Sequence, residues 1–218
     1  MPAPEFPPQT DELKELLRAQ QIDFTDEQAE QLDEYRRLLW SWNERMNLTR
    51  HTTLDKFVSR DVVDSYELSK LLEQGERVLD VGTGGGVPGV VVSILRPDLA
   101  VSVCESTQKK ARAVEAIVAE LNRPVRVYPN RAEELLEITT FDTLVARALA
   151  PLVKVLTWLR PHWEAFDRLL LIKGKSWVEE REAARQAGLM RGLELRKAAI
   201  YETPGSGAES VILSITAG

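Results

Sequence analysis

The chain of 218 residues contains one cysteine, Cys104, so no disulfide can close within it. Such thiol usage suits a reducing compartment. Histidine is almost as scarce, with only His51 and His162. Three such residues scattered along the chain do not have the spacing of a Cys/His metal site, so no bound metal is expected and both histidines are read as surface or internally satisfied groups. No apolar run approaches the ~20 residues a bilayer-spanning helix requires. The opening MPAPEFPPQT lacks the basic and apolar segments of a secretory signal and reads as a proline-rich lead-in. Together these absences point to a cytoplasmic protein without a membrane partner. At 44% hydrophobic and 28% charged residues, the composition otherwise supports a soluble domain with a sizeable core.

The net charge of −6 argues against a general polyanion binder, but the charge is unevenly spread. Residues 1–34 hold ten acids and two bases, whereas residues 35–60 hold six bases and two acids. The basic stretch also carries Tyr35, Trp40, Trp42, Asn43 and Asn47. Cations interleaved with aromatics suit RNA through phosphate attraction and base stacking. They equally suit a solvated helix face whose rings enter the core, and charge alone favours that second reading.

Patterning divides the chain near residue 75. Thr25 and Gln28 form a capping box for a helix over about 26–46, with Leu32, Tyr35, Leu39, Trp42 and Met46 along one face. Shorter helices are expected at about 11–20, 53–59 and 61–72, giving a helical segment over 1–74. Beyond Gly75, short apolar strands (78–81, 101–104, 125–128, 143–146 and 169–173) alternate with helices near 88–96, 108–122, 131–137, 151–159 and 176–190. This alternation predicts an α/β doubly wound parallel sheet over 75–218, with its ligand at the carboxyl ends of the strands. Two final strands, around Ile200 and over 211–215, are separated only by the loop TPGSG and should form an antiparallel edge hairpin.

The stretch RVLDVGTGGGVPG, residues 77–89, runs from a strand into a turn with five glycines in eight residues. Read from Gly84, it matches the dinucleotide fingerprint GxGxxG, a weak signal where glycine is this dense. It lacks the Gly-Lys-Ser/Thr of a triphosphate loop. Asp80 immediately precedes the glycines, Glu105 follows the second strand, and Glu133 follows the third. A pyrophosphate would meet the field of Asp80 at close range. S-adenosyl-L-methionine instead carries a sulfonium, an α-amino group and two ribose hydroxyls. Asp80 can attract its cationic end, Glu105 can accept from the ribose, Gly82 and Gly84 admit close backbone approach, and Ala132 with Glu133 should border the adenine. A methyltransferase cofactor is therefore favoured over NAD or a ligand-free turn. The implied fold is a Rossmann-like class I methyltransferase sheet with an N-terminal helical extension.

After the fourth strand comes Ala146-Arg147-Ala148-Leu149-Ala150-Pro151, not the Asn/Asp-Pro-Pro-aromatic motif associated with exocyclic amines. Cys104 lies within a strand and reads as a core residue, not a nucleophile. An acceptor with its own lone pair, such as guanine N7, remains; it needs positioning and a favourable field, not a general base. Arg147 is placed to pair with the cofactor carboxylate or to hold the target nucleotide, the alternative being a purely structural ion pair.

Several segments, WNERMNLT at 42–49, Asp64-Ser65, DVGTGGGVPG, Arg131-Ala132-Glu133-Glu134, Ala146-Arg147-Ala148 and Lys173-Gly174, resemble the glucose-inhibited division protein B family. Its members are bacterial methyltransferases that modify guanine N7 in 16S, small-subunit ribosomal RNA. The resemblance covers about residues 12–175. It implies cofactor contacts at Gly82, Val87, Ala132, Glu133 and Arg147, with a catalytic role for Arg147. It also implies RNA-facing roles for Asn47, Arg60, Arg147 and Lys173, and a monomer acting on the rRNA or an assembling 30S subunit. Two positions depart from the family pattern. Asp61 stands where Arg60 would be followed by histidine, and is expected to weaken RNA contact or to pair with Arg60. Glu209-Ser210 open the last strand where an arginine is usual. These departures keep two alternatives in view: a methyltransferase of another RNA or a small molecule, and a non-catalytic cofactor-binding assembly factor.

Overall fold

The computed structural model describes residues 6–205 and 207–218; the first five residues of the proline-rich lead-in expected at the N-terminus, and Ser206 of the TPGSG loop, lie outside the described residues. Seven strands form one sheet: β1 (Arg77–Val81), β2 (Ala100–Cys104), β3 (Arg126–Tyr128), β4 (Phe141–Arg147), β5 (Phe166–Lys173), β6 (Leu193–Thr203) and β7 (Ala208–Ala217). Their order is β3-β2-β1-β4-β5-β7-β6. The first five strands run parallel, β7 is antiparallel to β5, and β6 closes the edge as the second arm of a hairpin. The doubly wound sheet and its edge hairpin agree with the patterning. The edge arm is much longer than expected from the lone apolar signal at Ile200, because β6 is largely solvent-facing and shows little hydrophobic run.

Strand alternation assigns the two faces. Val78, Val101, Val103, Val145 and Leu170 point to one apolar core, which they share with α1 (Thr10–Ala19), α2 (Asp26–Asn43), α5 (Gly89–Leu95) and α6 (Gln108–Glu120). Leu79, Val81, Leu144, Leu169 and Leu171 point to the other, beneath α7 (Ala132–Leu136), α8 (Leu152–Leu159) and α9 (Trp177–Gln186). Leu13, Leu17, Leu32, Tyr35 and Leu39, all fully buried, place the helices before β1 in the same core as the sheet. Each such side chain contributes about 1.5–3 kcal/mol through burial. The Thr25–Gln28 capping box is formed, and the same Gln28 amide donates to the carbonyls of Ile94 and Leu95, tying the start of α2 to the end of α5.

Helix α2 ends at Asn43, three residues short of the periodic pattern. The Asn43 Oδ1 accepts from the amides of Leu48 and Thr49 at 2.8 and 2.9 Å, turning the chain back toward the sheet. This is the structural content of the Trp-Asn-x-x-x-Asn-Leu-Thr stretch. The two helices expected at 53–59 and 61–72 are one run: α3 (Leu54–Lys56), a π-helical turn (Phe57–Val62) and α4 (Val63–Ser69). A π turn re-aims side chains within a helix and recurs at functional sites. Here it carries Arg60 and Asp61.

Candidate active site

Strand order reverses between β1 and β4, since β1 leads outward to β2 while β4 starts the other half of the sheet. A crevice opens at such a switch point, beyond the carboxyl ends of the strands. The pairing of Asp80 with Val145 brings the residues two further along, Gly82 and Arg147, to the same level of this rim. A cleft of about 610 Å³ lies above it, bordered by Gly82, Gly84, Val87, Glu105, Arg50 and Arg147 among others. A smaller compartment of about 260 Å³ adjoins it, lined by Ala132, Glu133, Arg131, Ser106 and Trp158. Gly82 and Leu149 border both, with the Leu149 side chain packed on the bare backbone of Gly82.

The expected cofactor residues thus gather at one rim, with a difference in how Asp80 takes part. Its carboxylate is wholly buried beneath the glycine loop instead of facing the cleft. Oδ2 accepts from Thr83 Oγ1 at 2.5 Å and from the Gly89 amide at 2.8 Å, while Oδ1 is buried with no hydrogen-bond partner among the described residues. Burial pushes its pKa up to about 6 against the lowering effect of those two bonds. Asp80 therefore shapes the loop directly and reaches a ligand only through its field. Gly89 makes this possible: a Cβ there would stand 2.8 Å from Asp80 Cβ and 2.6 Å from Val103, so only glycine lets the helix start press on the strand. Across the loop, the Tyr35 hydroxyl donates to the Gly85 carbonyl at 3.0 Å. This anchor from α2 is not visible in the sequence, where Tyr35 reads only as a core position.

Glu105 closes the β2 side. Its oxygens accept from the Gly84 amide at 3.2 Å and the Thr107 amide at 2.7 Å, leaving lone pairs for further donors. At Gly84 a Cβ would meet nothing within 4 Å, so that backbone faces open space. A bare backbone, an acceptor carboxylate at the end of β2, and a side compartment edged by Ala132 and Glu133 fit a nucleoside bearing hydroxyls and positive charge. Cys104 is buried, and burial pushes its thiol up to about 12, so it is a core residue.

The β4 side is organised by Arg147. Its Nη2 lies 2.6 Å from Asp61 Oδ1, and its Nη1 donates to Asp64 Oδ2 at 3.2 Å and to the Arg60 carbonyl at 3.0 Å. Burial lowers the guanidinium pKa, and the coulombic pull of Asp61 and Asp64 more than restores it. Three of its five N–H donors are thereby taken. Asp61 also meets His51 Nδ1 at 2.7 Å, and Tyr201 donates to Asp64 at 2.8 Å. Asp61 thus pairs with Arg147 and His51, not with the Arg60 side chain as expected. Arg60 instead donates to Thr203 at 3.0 Å, and Thr203 meets Ser210 at 3.0 Å. Ala148 follows at φ 52°, left-handed for a residue that has a Cβ, which marks a strained turn held by its surroundings.

Of the residues assigned to RNA, Arg60, Arg147 and Lys173 line one cleft of about 500 Å³, and Asn47 does not. Arg60 lies between the main cleft and two neighbouring ones. Lys173 is held by Glu180 at 2.7 Å and by the Ala150 carbonyl at 2.6 Å, which secures the loop after β4. Asn47 lies exposed in the turn after α2, outside the cleft lining. Sequence reasoning does not select Asp61, Asp64 and His51 as site residues, because nothing in a linear pattern shows which guanidinium a carboxylate will meet.

Solved structures share this architecture. One is a point mutant of MtNAS in complex with S-adenosylmethionine, at 18% identity and TM-score 0.57 over 95% of this chain and 89% of that one. Another is TrmK from M. capricolum in complex with S-adenosyl-homocysteine, at 12% identity and TM-score 0.52 over 71% and 67%. At those identities the likeness concerns the fold, that of Rossmann-like class I methyltransferases. Sequence relatives are nearer. The ribosomal RNA small subunit methyltransferase G of Rhodopirellula baltica is 48% identical over 190 residues, 87% of this chain and 82% of its own. The protein of the same name from Chromobacterium violaceum is 35% identical over 202 residues, 92% and 94% of the two chains. A family model described as rRNA small subunit methyltransferase G matches residues 28–204. This chain belongs to the rRNA small subunit methyltransferase G family.

Proposed function

We propose that this protein transfers a methyl group from S-adenosyl-L-methionine to N7 of a guanine in 16S rRNA of the small ribosomal subunit. The observation that carries the proposal is the rim at the β1/β4 switch point, where an open glycine backbone, Glu105 and the Ala132–Glu133 compartment meet Arg147 in a chain of this family. S-adenosyl-L-methionine supplies a methyl group activated on a sulfonium. Glu105 accepts from the ribose, Ala132 and Glu133 border the adenine, and the Gly82–Gly84 backbone carries the methionyl end. Val87 walls the same cleft. Asp80 holds the loop from below and adds its negative field.

Arg147 presents its two remaining N–H donors to the cofactor carboxylate or the acceptor nucleotide, fixed by Asp61 and Asp64. Guanine N7 brings its own lone pair, so no side chain is required to remove a proton before attack. Positive charge moves from sulfur toward the base as the methyl passes. Asp61 and Asp64 behind Arg147 offset its charge and so limit its opposition to that positive charge. Arg60 borders the acceptor side and contacts the RNA there, with Asn47 and Lys173 at its margins. The protein acts as a cytoplasmic monomer on the rRNA or on a partly assembled 30S subunit. Among the described residues no helix is long and apolar enough to cross a membrane.

The test is a map of N7-methylated guanines in 16S rRNA from cells with and without the gene. One position should lose its methyl group when the gene is removed and regain it on treatment with purified protein; an unchanged map overturns the proposal. Calorimetry should show S-adenosylhomocysteine binding and no NAD binding, and the reverse would overturn the cofactor assignment.

A further inference from the structure

The six bases of residues 35–60 do not act alike in the folded chain. Arg36 is buried against Asp33 and over the Trp40 ring, Arg37 donates to the Phe6 carbonyl, and Arg45 lies over Trp42. The other three, Arg50, Lys56 and Arg60, converge on a separate cleft of about 590 Å³ between the π turn, α1 and the end of β6. Asp55 is the one carboxylate in its lining among the described residues. Arg50 and Lys56 are exposed and carry no ion pair among the described residues, while Arg60 is fixed by Thr203. The floor is apolar, with Leu16, Val58 and Pro204. Arg50, His51 and Arg60 also border the main cleft, so the two clefts adjoin.

We infer that this second cleft holds the RNA strand next to the methylated nucleotide, with Arg50 and Lys56 on backbone phosphate and the apolar floor under a ribose or base. The inference rests on the proposed reaction for the identity of the strand. The acidic excess is concentrated in residues 1–34, which repel a polyanion, while residues 76–218 are nearly balanced. Among the described residues, cations outnumber carboxylates three to one in this cleft and four to one in the main cleft beside it. A strand drawn to the rim therefore meets a run of positive charge across both. Backbone contacts of this kind set register and orientation while carrying no base information. The cleft would accordingly contribute to how the target guanine is presented, not to the transfer itself.

The experiment compares the full chain with Arg50→Ala/Lys56→Ala, using unmethylated 16S rRNA. Binding is measured over a salt series in the presence of S-adenosylhomocysteine, and methyl transfer is measured separately. For the double variant, the slope of log affinity against log salt should fall by roughly 0.7–0.9 per cation removed. KM for rRNA should rise on the order of tenfold at physiological salt; in Lys56→Ala alone, whose side chain lies outside the main cleft, kcat and S-adenosylhomocysteine affinity should be unchanged. Lys56→Arg alone should keep the wild-type slope. A control removing Arg112 and Arg185, exposed on α6 and α9, should also keep it. Equal slopes for wild type and the double variant, or an equal fall in the control, overturn the inference. A wild-type chain that binds rRNA with the expected slope difference but transfers no methyl overturns the reaction instead and supports the cleft. An unchanged thermal unfolding midpoint in the same samples reports that the variants are folded.

Discussion

Arg147 at the end of β4 and Asp61 in the π turn of the N-terminal helices stand 2.6 Å apart, joining two segments separated by 86 positions. Asp61 is fully buried, while the Arg147 side chain keeps 17% of its surface exposed. The pair fixes the acceptor side of the cleft to the helical extension, so the helices before β1 complete the site as well as cover the sheet.

Removing the cation alone should damage both fold and reaction. Arg147→Ala leaves the buried carboxylates of Asp61 and Asp64 with only His51 and the Tyr201 hydroxyl as partners, which costs about 3–5 kcal/mol by denaturant unfolding. Methyl transfer should be abolished. Adding Asp61→Asn to that variant should recover part of the stability and none of the activity. Full activity in Arg147→Ala would remove this side chain from the mechanism.

Asp80 gives a pH dependence whose sign follows from burial. Its folded pKa of about 6 lies above the ordinary value of 3.8, so the folded state holds the proton more tightly than the unfolded chain. Stability contributed at low pH is then lost as pH rises from about 4 through 6, by on the order of 3 kcal/mol. Asp80→Asn removes this titration. The difference in unfolding free energy between wild type and variant should therefore shift in the variant's favour across that interval, and a flat difference would contradict the burial argument.

Glu105 anchors the loop and faces the ligand, and the two roles separate by substitution. Glu105→Ala should weaken S-adenosylhomocysteine binding by about 1–3 kcal/mol, as expected for lost bonds to a charged acceptor. Glu105→Gln keeps one carbonyl acceptor and should lose less. Unaltered affinity in the alanine variant, measured by calorimetry, would place the ribose elsewhere.

Two glycines of one loop should respond differently. Both Gly82 and Gly84 have positive φ, 68° and 60°, so alanine costs roughly 1–2 kcal/mol of backbone strain at either. At Gly82 the new methyl would also strike Leu149, whereas at Gly84 it enters open cleft. Gly82→Ala should thus be the less stable protein by thermal unfolding, and the addition of Leu149→Ala should relieve the excess. Gly84→Ala should unfold near its strain cost alone yet bind S-adenosylhomocysteine poorly, because its methyl occupies ligand space.

Much of this protein is determined locally. Alternation of apolar runs with 3.6-residue periodicity sufficed for the parallel sheet and its helices, because those patterns reflect which side chains a strand or helix must bury. The Thr25–Gln28 cap and the glycine density after β1 were legible for the same reason: each is a requirement on neighbouring backbone groups. Gly82, Glu105, Ala132 and Arg147 could be placed at one rim because each follows a strand of a parallel sheet. Tertiary structure alone decided the rest. That Asp80 faces inward depends on how closely α5 packs at Gly89. That Asp61 meets Arg147 and His51, leaving Arg60 to Thr203, depends on a π turn whose extra residue rotates the helix face. That Arg50 and Lys56 share a cleft while Arg36 is buried depends on Asn43 reversing the chain. Charges exert force through space, not along the sequence, and their partners are set only when distant elements dock.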